Sequence, residues 1–157
     1  MKSHPRISLT KAESSEIEFF WYLRNKPYVF RYSLSASSVS WEDHVNWIMP
    51  IILGVSNKKL FLIRYGKMPV GQIRLDINEN EAEISISVLS EFHGKGIAVA
   101  SVNLMIKKIK NEQAIRMLEA TVHKNNIASI GLFNKLRFKL DSKKGKWLKY
   151  KLDIHDD

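Results

Sequence analysis

The sequence contains no cysteine and has only 7 glycines and 4 prolines in 157 residues. Without cysteine the chain can form neither a disulfide nor a zinc–thiolate site, and it has no cysteine nucleophile. Its longest apolar run, residues 47–55, is interrupted by Pro50 and is too short to cross a bilayer, and the N-terminus lacks the apolar core of a signal peptide. We therefore predict a soluble, cytoplasmic protein with one domain over residues 1–157.

Positive charge is in excess, because 25 Lys and Arg against 16 Asp and Glu give a net charge of +9. Such a surface favours anionic partners, including phosphorylated small molecules. The lysines gather at 107–110 and 143–151, but no known nucleic-acid reader motif accompanies them, so a solvated face is favoured over a nucleic-acid groove. Neither nucleic acid nor a membrane is the expected partner. The 5 histidines show no short ligand spacing, and no metal site is predicted.

Two glycines stand in the segment 90–98, between a predicted strand and an amphipathic helix. Gly94 and Gly96 let the backbone turn tightly and point N–H groups at one spot, where the helix N-terminus adds a partial positive charge. This arrangement suits a phosphate, and the alternative is an ordinary strand-to-helix turn. The dinucleotide fingerprint would need a glycine at Val99, and the glycines of a Walker loop lie further apart, so neither motif fits.

Hydrophobic periodicity predicts an α+β chain. Strands are predicted at 7–10, 60–65, 70–77, 81–88 and 117–122, with a final hairpin formed by 138–140 and 147–154. Helices are predicted at 15–25 with a Ser15–Glu18 capping box, from Ser40 to near Pro50, from the glycine segment to about 109, and at 126–136. Residues 28–39 are predicted to be irregular. This order favours a mixed, mostly antiparallel sheet of six to seven strands with helices on both faces.

The pairing of the two central strands can be predicted from the parity of their polar faces. Keeping both polar faces on one side of the sheet requires an even-length loop, such as 78–79. That loop would place Arg74 near Glu83 and Gln72 near Ser85. A polar patch is therefore expected on this face.

Two segments resemble motifs of a known family. His93-Gly94-Lys95-Gly96-Ile97-Ala98 resembles the Gln/Arg-x-x-Gly-x-Gly/Ala signature for acyl-coenzyme A in the GNAT superfamily of N-acetyltransferases, with His93 in place of Gln or Arg. Residues 126–138 resemble that family's Asn-x-Ala-x-x-x-x-Tyr-x-x-x-Gly-Phe, and the elements come in the family's order. The resemblance implies the GNAT fold and, without a metal, direct transfer of acetyl from acetyl-CoA to a primary amine in a ternary complex.

The resemblance also implies which residues hold coenzyme A. The main-chain N–H groups of residues 94–98 would take the pyrophosphate, with His93 opening the motif and Lys95 adding a cation. The pantetheine arm would run beside Ile86-Ser87-Val88 like an additional strand. Asn126 would contact the arm, and its alternative role is a plain helix N-cap.

One position departs from the family in a way that affects the chemistry. The tyrosine that protonates the departing thiolate in many members falls on Phe133, which has no proton to donate. Arg137 replaces the usual glycine. Because a coenzyme A thiolate is a fairly good leaving group, water, Ser129 or the ammonium proton of the substrate could serve instead.

For the general base, Glu83 is the first candidate, because it lies on the polar face of the strand beside the acyl site. The alternative is a structural ion pair with Arg74, which would make the carboxylate a poorer base. Asp76 and His44 are further candidates. His44 stands among tryptophans, where a histidine is more often a packing residue.

Arg24, Asn25 and Arg74 are predicted to bind the acceptor. Arg24 and Asn25 end the first helix where the acceptor cleft of the family opens, although a cation is also favourable at any helix C-terminus. Segments 21–25, 40–47 and 71–76 resemble the branch that acetylates nucleotide-linked amino sugars, including pseudaminic acid pathway enzymes. The alternatives are a protein N-terminus, another small amine, or a non-catalytic basic binding module on the same fold. A monomer and a homodimer are both compatible with the sequence.

Overall fold

A computed structural model describes residues 5–155, which build one seven-stranded sheet. The strands are β1 (Ile7–Lys11), β2 (Lys58–Tyr65), β3 (Met68–Asn78), β4 (Glu81–Val88), β5 (Met117–His123), β6 (Lys139–Lys144) and β7 (Trp147–Asp153). Their order in the sheet is β1-β2-β3-β4-β5-β7-β6. All neighbours are antiparallel except β4 and β5, which are parallel. This confirms the predicted mixed, mostly antiparallel sheet.

Helices cover both faces of the sheet, as predicted. They are α1 (Ile17–Arg24), α2 (Pro27–Phe30), α3 (Trp41–Ile52), α4 (Ile97–Glu112) and α5 (Ile127–Lys135). Because side chains alternate along a strand, Phe61 and Ile63 of β2 join the core under α4 and α5, whereas Leu60 and Leu62 join the core under α1 and α3. None of the helices within residues 5–155 has the length and apolar character needed to cross a membrane.

Both lysine groups lie at the surface. Lys107, Lys108 and Lys110 are exposed on α4, whose Val102 and Met105 are buried against the sheet. Strand β6 forms one edge of the sheet, and every one of its residues is exposed.

The start of the first helix differs from its prediction. Residues 14–16 form a 3-10 turn, and α1 begins at Ile17, so Ser15 lies inside the turn and cannot cap the helix. The capping interaction comes one turn earlier, where the Glu13 N–H donates to Glu16 Oε1 at 2.9 Å. Ser40, by contrast, caps α3 as expected, accepting the Asp43 N–H at 3.2 Å.

The register of β3 and β4 also differs from its prediction. The turn lies at 79–80, where Glu79 has a φ of +57°, instead of at 78–79. Both turns have even length, so the polar faces are as predicted. Each residue of β3, however, pairs with a residue of β4 that lies two positions later than expected. Glu83 therefore pairs with Asp76, and Arg74 pairs with Ser85.

Gly71 of β3 lies where the sheet leaves no room for a side chain. A Cβ built on it would collide with the Ser87 carbonyl oxygen of β4 and lie 3.1 Å from Val88 Cα. A Cβ built on Gly131 of α5 would have no neighbouring heavy atom within 4 Å. The close approach of β3 to β4 therefore requires glycine at position 71.

We expect Gly71→Ala to lower the free energy of unfolding by about 1–3 kcal/mol, because the backbone of β4 must shift to admit the methyl group. The matched substitution Gly131→Ala should leave stability unchanged or raise it by up to about 1 kcal/mol, since alanine is the better helix former. Urea unfolding of both variants checks this. Equal stability of the two variants would contradict the close contact at Gly71.

His44 joins α1 to α3 on the face of the sheet that these two helices cover. It is 2% exposed, and its Nε2–H donates to the Ile17 carbonyl at 3.1 Å. The rings of Trp41 and Trp47 lie on either side, with centroids 6.3 and 6.0 Å away. Burial lowers the pKa of His44, although the hydrogen bond to Ile17 opposes that shift. The neutral ring is therefore the form that the fold favours.

Because the unfolded chain takes up a proton on this histidine near pH 6.5, stability should be complete above about pH 6.5 and fall as the pH drops below it. We expect wild-type protein to lose on the order of 1 kcal/mol more than His44→Gln between about pH 7.5 and about pH 5.5. Glutamine retains a donor for the Ile17 carbonyl. Urea unfolding at both pH values checks this, and His155→Gln at an exposed position should behave like wild type. An identical pH dependence in His44→Gln would refute it.

Candidate active site

A cleft opens where β4 and β5 separate. Within residues 5–155 the two strands pair at Glu81–Glu83 with Met117–Glu119, although β4 continues to Val88 and β5 to His123. The cleft has a volume of about 740 Å³ and is walled by β3, β4, β5, α5 and the segment 24–39. The separation leaves one side of the β4 main chain without a strand partner beyond Glu83.

The cleft brings together ten of the predicted site residues, which come from distant parts of the chain. Those that line it are Arg24, His44, Arg74, Asp76, Glu83, Ile86, Ser87, Asn126, Ser129 and Phe133. Asn25, Val88 and the glycine segment His93, Gly94, Lys95, Gly96, Ile97 and Ala98 are outside its lining. The glycine segment follows the open end of β4 and leads directly into α4.

The glycine segment presents a row of free donors at the start of α4. Gly94 and Gly96 have φ values of +78° and +76°, a backbone conformation that favours glycine. The main-chain N–H groups of residues 94–99 have no acceptor among residues 5–155, and the first intrahelical bond at this end is Ala100 N–H to Gly96 O at 3.0 Å. These donors, together with the helix dipole, form an anion-binding end.

His93 fixes this segment to the end of β4. Its Nε2 lies 2.8 Å from the Val88 carbonyl oxygen, and because a carbonyl only accepts, Nε2 carries the proton. Tyr28 supports the other side, since its Oη accepts the Ser90 N–H at 3.0 Å and its ring packs edge-on against His93 at 5.8 Å. The side chain that departs from the family signature therefore orients the loop through a main-chain contact.

The side chains of α5 form the opposite wall. Asn126 caps the helix, its Oδ1 accepting the Ser129 N–H at 3.2 Å, while its Nδ2 has no acceptor within the described residues. Both roles considered for Asn126 are thus sterically compatible. Phe133 is 3% exposed and packs on Phe138 and Tyr150, at 5.0 and 6.4 Å between ring centroids. It offers no proton, and Ser129 is the nearest hydroxyl on this helix that faces the cleft.

The ion pair between Arg74 and Glu83, considered as the alternative role of Glu83, does not form. Arg74 instead binds Asp76, with Nε to Oδ1 at 2.8 Å and Nη2 to Oδ2 at 3.3 Å, because residues two apart on a strand project from the same face. Lys58 adds a second cation to Asp76 at 3.3 Å. Glu83 makes no ion pair or side-chain hydrogen bond to any residue between 5 and 155, although it lines the cleft.

Arg24 and Asn25 hold residues 35–39 over the cleft. Arg24 donates to the Ser37 carbonyl at 3.0 Å and to Ser35 Oγ at 2.8 Å. Both amide atoms of Asn25 bind the main chain of Val39, at 2.7 and 3.0 Å, so Asn25 positions this segment from outside the lining of the cleft. Burial lowers the pKa of Arg24, and the positive charge of Arg74 lowers it further.

Three aromatic residues of the cleft were missed from the sequence. His123 ends β5 between the rings of Tyr32 and Trp147, with both centroids 5.3 Å away. Its Nδ1 accepts the Asn125 N–H at 3.0 Å. Since Glu83 lies beside Glu119, the period of two along β5 places His123 on the face of Glu83. The alternation of faces used for β3 and β4 could have identified His123 from the sequence. Tyr32 and Trp147 lie far away in the chain, and only tertiary packing brings them to it.

The described part of the chain brings no three His, Asp or Glu side chains together as a metal ion would require. The charged groups of the cleft are instead two arginines, two aspartates and one glutamate, namely Arg24, Arg74, Asp43, Asp76 and Glu83. Such a set can orient an amine and accept its proton.

Known proteins share this architecture. The protein-family model described as Acetyltransferase (GNAT) domain matches residues 6–139. An uncharacterised protein of Methanocaldococcus jannaschii is 30% identical over 151 residues, which is 90% of this chain but 29% of that relative. The chain thus spans less than a third of the length of that curated relative.

Two solved structures show the same fold. Spermidine N-acetyltransferase from Vibrio cholerae, in complex with CoA and spermine, superimposes with a TM-score of 0.84 at 17% identity, covering 94% of this chain and 95% of that one. The N-acetyltransferase PseH of Campylobacter jejuni gives 0.71 at 22% identity, covering 95% and 99%. On its cleft, its glycine segment and the family match, the chain belongs to the GNAT family of acetyl-CoA-dependent N-acetyltransferases.

Proposed function

We propose that this chain transfers the acetyl group of acetyl-CoA directly to the primary amine of a small molecule, with a nucleotide-linked amino sugar as the acceptor. The observation that carries the proposal is the free row of N–H groups at 94–99 beside the open edge of β4. The same proposal treats residues 1–157 as one catalytic domain that acts as a monomer or a homodimer.

Three groups of atoms would hold the thioester substrate. The N–H groups of 94–98 suit its pyrophosphate, and Lys95 adds a positive charge next to them. The unpaired edge of β4 at Ile86, Ser87 and Val88 offers main-chain hydrogen bonds to an extended amide-containing arm. The free Nδ2 of Asn126 offers one more donor from the opposite wall.

Glu83 is the base that the contacts favour. Among residues 5–155 it has no cation partner, whereas the carboxylate of Asp76 is already bound by Arg74 and Lys58. The Glu83 carboxylate is therefore left available to an incoming amine. His44 uses its Nε2–H on Ile17 and lies in a buried aromatic setting, which favours a packing role. Glu83 can therefore accept a proton from the incoming amine, while Arg74 and Asp76 shape the wall beside it.

The proton for the departing thiolate does not come from Phe133, and Ser129 is our first candidate among the side chains. Ser129 lies on the same helix face as Asn126 and lines the cleft. A low-basicity thiolate needs little assistance, so a water held there or the ammonium proton of the acceptor can replace it. The thioester substrate supplies the activated carbonyl, and the chain supplies binding, orientation and the base.

The acceptor proposal rests on the resemblance of segments 21–25, 40–47 and 71–76 to the amino-sugar branch. In the fold, these segments supply Arg24, His44, Trp47 and Arg74 to one end of the cleft. Arginine and tryptophan together suit an anionic, ring-containing acceptor. A protein N-terminus or another small amine is the alternative acceptor.

A non-catalytic basic binding module is the second candidate function. Phe133 in place of a proton donor and the exposed lysines of β6 favour it. A binder of this kind would show affinity for an anion that falls steeply with salt, without consuming acetyl-CoA. Thiol release therefore distinguishes the two candidates.

We expect Gly96→Ala to raise the KM for acetyl-CoA by about tenfold, because a strained backbone moves the N–H groups out of convergence. Gly145→Ala is the matched control. Gly145 has a φ of +59° in the β6–β7 turn, away from the cleft, and should lose similar stability with an unchanged KM. Steady-state kinetics and urea unfolding of both variants check this. An equal effect of the two substitutions on KM would argue against the glycine segment as the anion site.

The activity itself is tested by following free thiol release from acetyl-CoA with amino sugars, nucleotide-linked amino sugars, polyamines and peptides. With the best acceptor, Glu83→Gln should lower kcat by about a hundredfold, as expected for loss of a general base. Glu81→Gln, two residues earlier on the same face of β4, should stay within about twofold of wild type.

Two outcomes would count against the proposal. Absence of thiol release with every amine would exclude the transferase and favour the binding module. Full activity of Glu83→Gln would leave the transferase standing but remove Glu83 as the base.

A further inference from the structure

Arg24 is a cation without an anion partner among the described residues. No carboxylate of residues 5–155 forms an ion pair with it, whereas Arg64, Arg74, Lys58 and Lys151 all have such partners. It nevertheless lines the cleft. Its Nη1 and Nη2 each donate one bond to the covering segment, which leaves the Nε–H and a second N–H on each terminal nitrogen without an acceptor in the described span.

The guanidinium of Arg24 is also held in place. Ser35 Oγ and the Ser37 carbonyl accept from it at 2.8 and 3.0 Å, so its direction is set before any ligand arrives. A charge that is oriented in advance binds a counter-ion with less loss of side-chain entropy. Burial and the nearby Arg74 destabilise its charged form, and an added anion would relieve both effects.

The remaining charges of the cleft complete a complementary pattern. Arg74 forms an ion pair with Asp76, which also binds Lys58. Among the charged residues that line the cleft, Arg24 has no ion-pair partner within residues 5–155, and neither has Glu83 or the exposed Asp43. A molecule that carries both an amine and an anion matches this set, because each of its charges meets an unpaired opposite charge.

We propose that the acceptor bears a phosphate or carboxylate in addition to its amine, and that Arg24 binds this anion while the amine faces Glu83. The inference rests on the proposed transferase function and assigns recognition of the acceptor's negative charge to Arg24. It disfavours a polyamine, whose every charge is positive and would meet Arg24 unfavourably. The phosphate and the carboxylate share the bidentate chemistry of arginine, so separate probes distinguish them.

The test measures binding by calorimetric titration of protein saturated with CoA, so that the glycine segment is occupied. Three probes share one amine-bearing pyranose ring: glucosamine, glucosamine 6-phosphate and 2-amino-2-deoxyglucuronate. We expect at least one anionic probe to bind wild type about tenfold more tightly than glucosamine, and Arg24→Gln to abolish that difference. Which anionic probe is preferred identifies the phosphate or the carboxylate.

Two control variants separate the charge of Arg24 from its other contacts. Lys26→Gln removes a cation two residues away that packs on Tyr22 and is outside the cleft, so it should keep the preference. Ser35→Ala removes one of the two contacts that orient the guanidinium but keeps its charge, and should keep most of the preference. Circular dichroism establishes that each variant is folded.

The proposal is overturned if wild type binds the three probes alike, including no binding of any, if Arg24→Gln retains the preference, or if Ser35→Ala loses it equally. These results are independent of turnover. A protein that prefers the anionic probes through Arg24 but releases no thiol would leave the anion site intact and refute the transferase instead.

Discussion

The separation of β4 from β5 is the constraint on which the rest of the site depends. β4 pairs with β3 over its whole length, from Asn78↔Glu81 to Gly71↔Val88, but with β5 over just Glu81–Glu83 in the described span. A main chain left unpaired in the middle of a sheet needs another partner for its N–H and C=O groups. The fold thus creates a slot for an extended ligand without dedicating side chains to it. Because Gly71 has no side chain, β3 can lie close to β4 at this position.

The segment 24–39 joins the two ends of this slot. Tyr28 contacts the glycine segment through Ser90 and His93, and Tyr32 packs on His123 at the end of β5. Arg24 and Asn25, which begin the segment, bind residues 35–39 at its other end. One short stretch of chain therefore touches both the glycine segment and the end of β5. Its path depends on four of its own side chains, because Arg24, Asn25, Tyr28 and Tyr32 make these contacts.

Features that depend on residues close in sequence, such as two of the helix caps and the glycine turns, could be predicted. Strand pairing and tertiary groupings depend on distant residues and could not be predicted fully. Ser40 and Asn126 were identified as caps because a cap depends on residues three apart, and Gly94 and Gly96 because a positive φ depends on one residue. Parity gave the correct faces of β3 and β4, but parity cannot choose between two turns of equal length, so the pairing was displaced by two residues. The grouping of Tyr32, His123 and Trp147 comes from three separate elements and has no counterpart in the sequence.

The exposed edge strand β6 limits how copies of the chain can meet. Because β6 is the last strand of the sheet, one side of its main chain has no strand partner. Lys139, Lys143 and Lys144 make up half of its residues. Two such edges laid together would bring like charges into direct opposition, at a cost that increases as water is excluded between them. The lysine-rich edge therefore disfavours pairing of β6 with the β6 of another copy. Part of the positive charge that the composition shows thus lies where it opposes self-association.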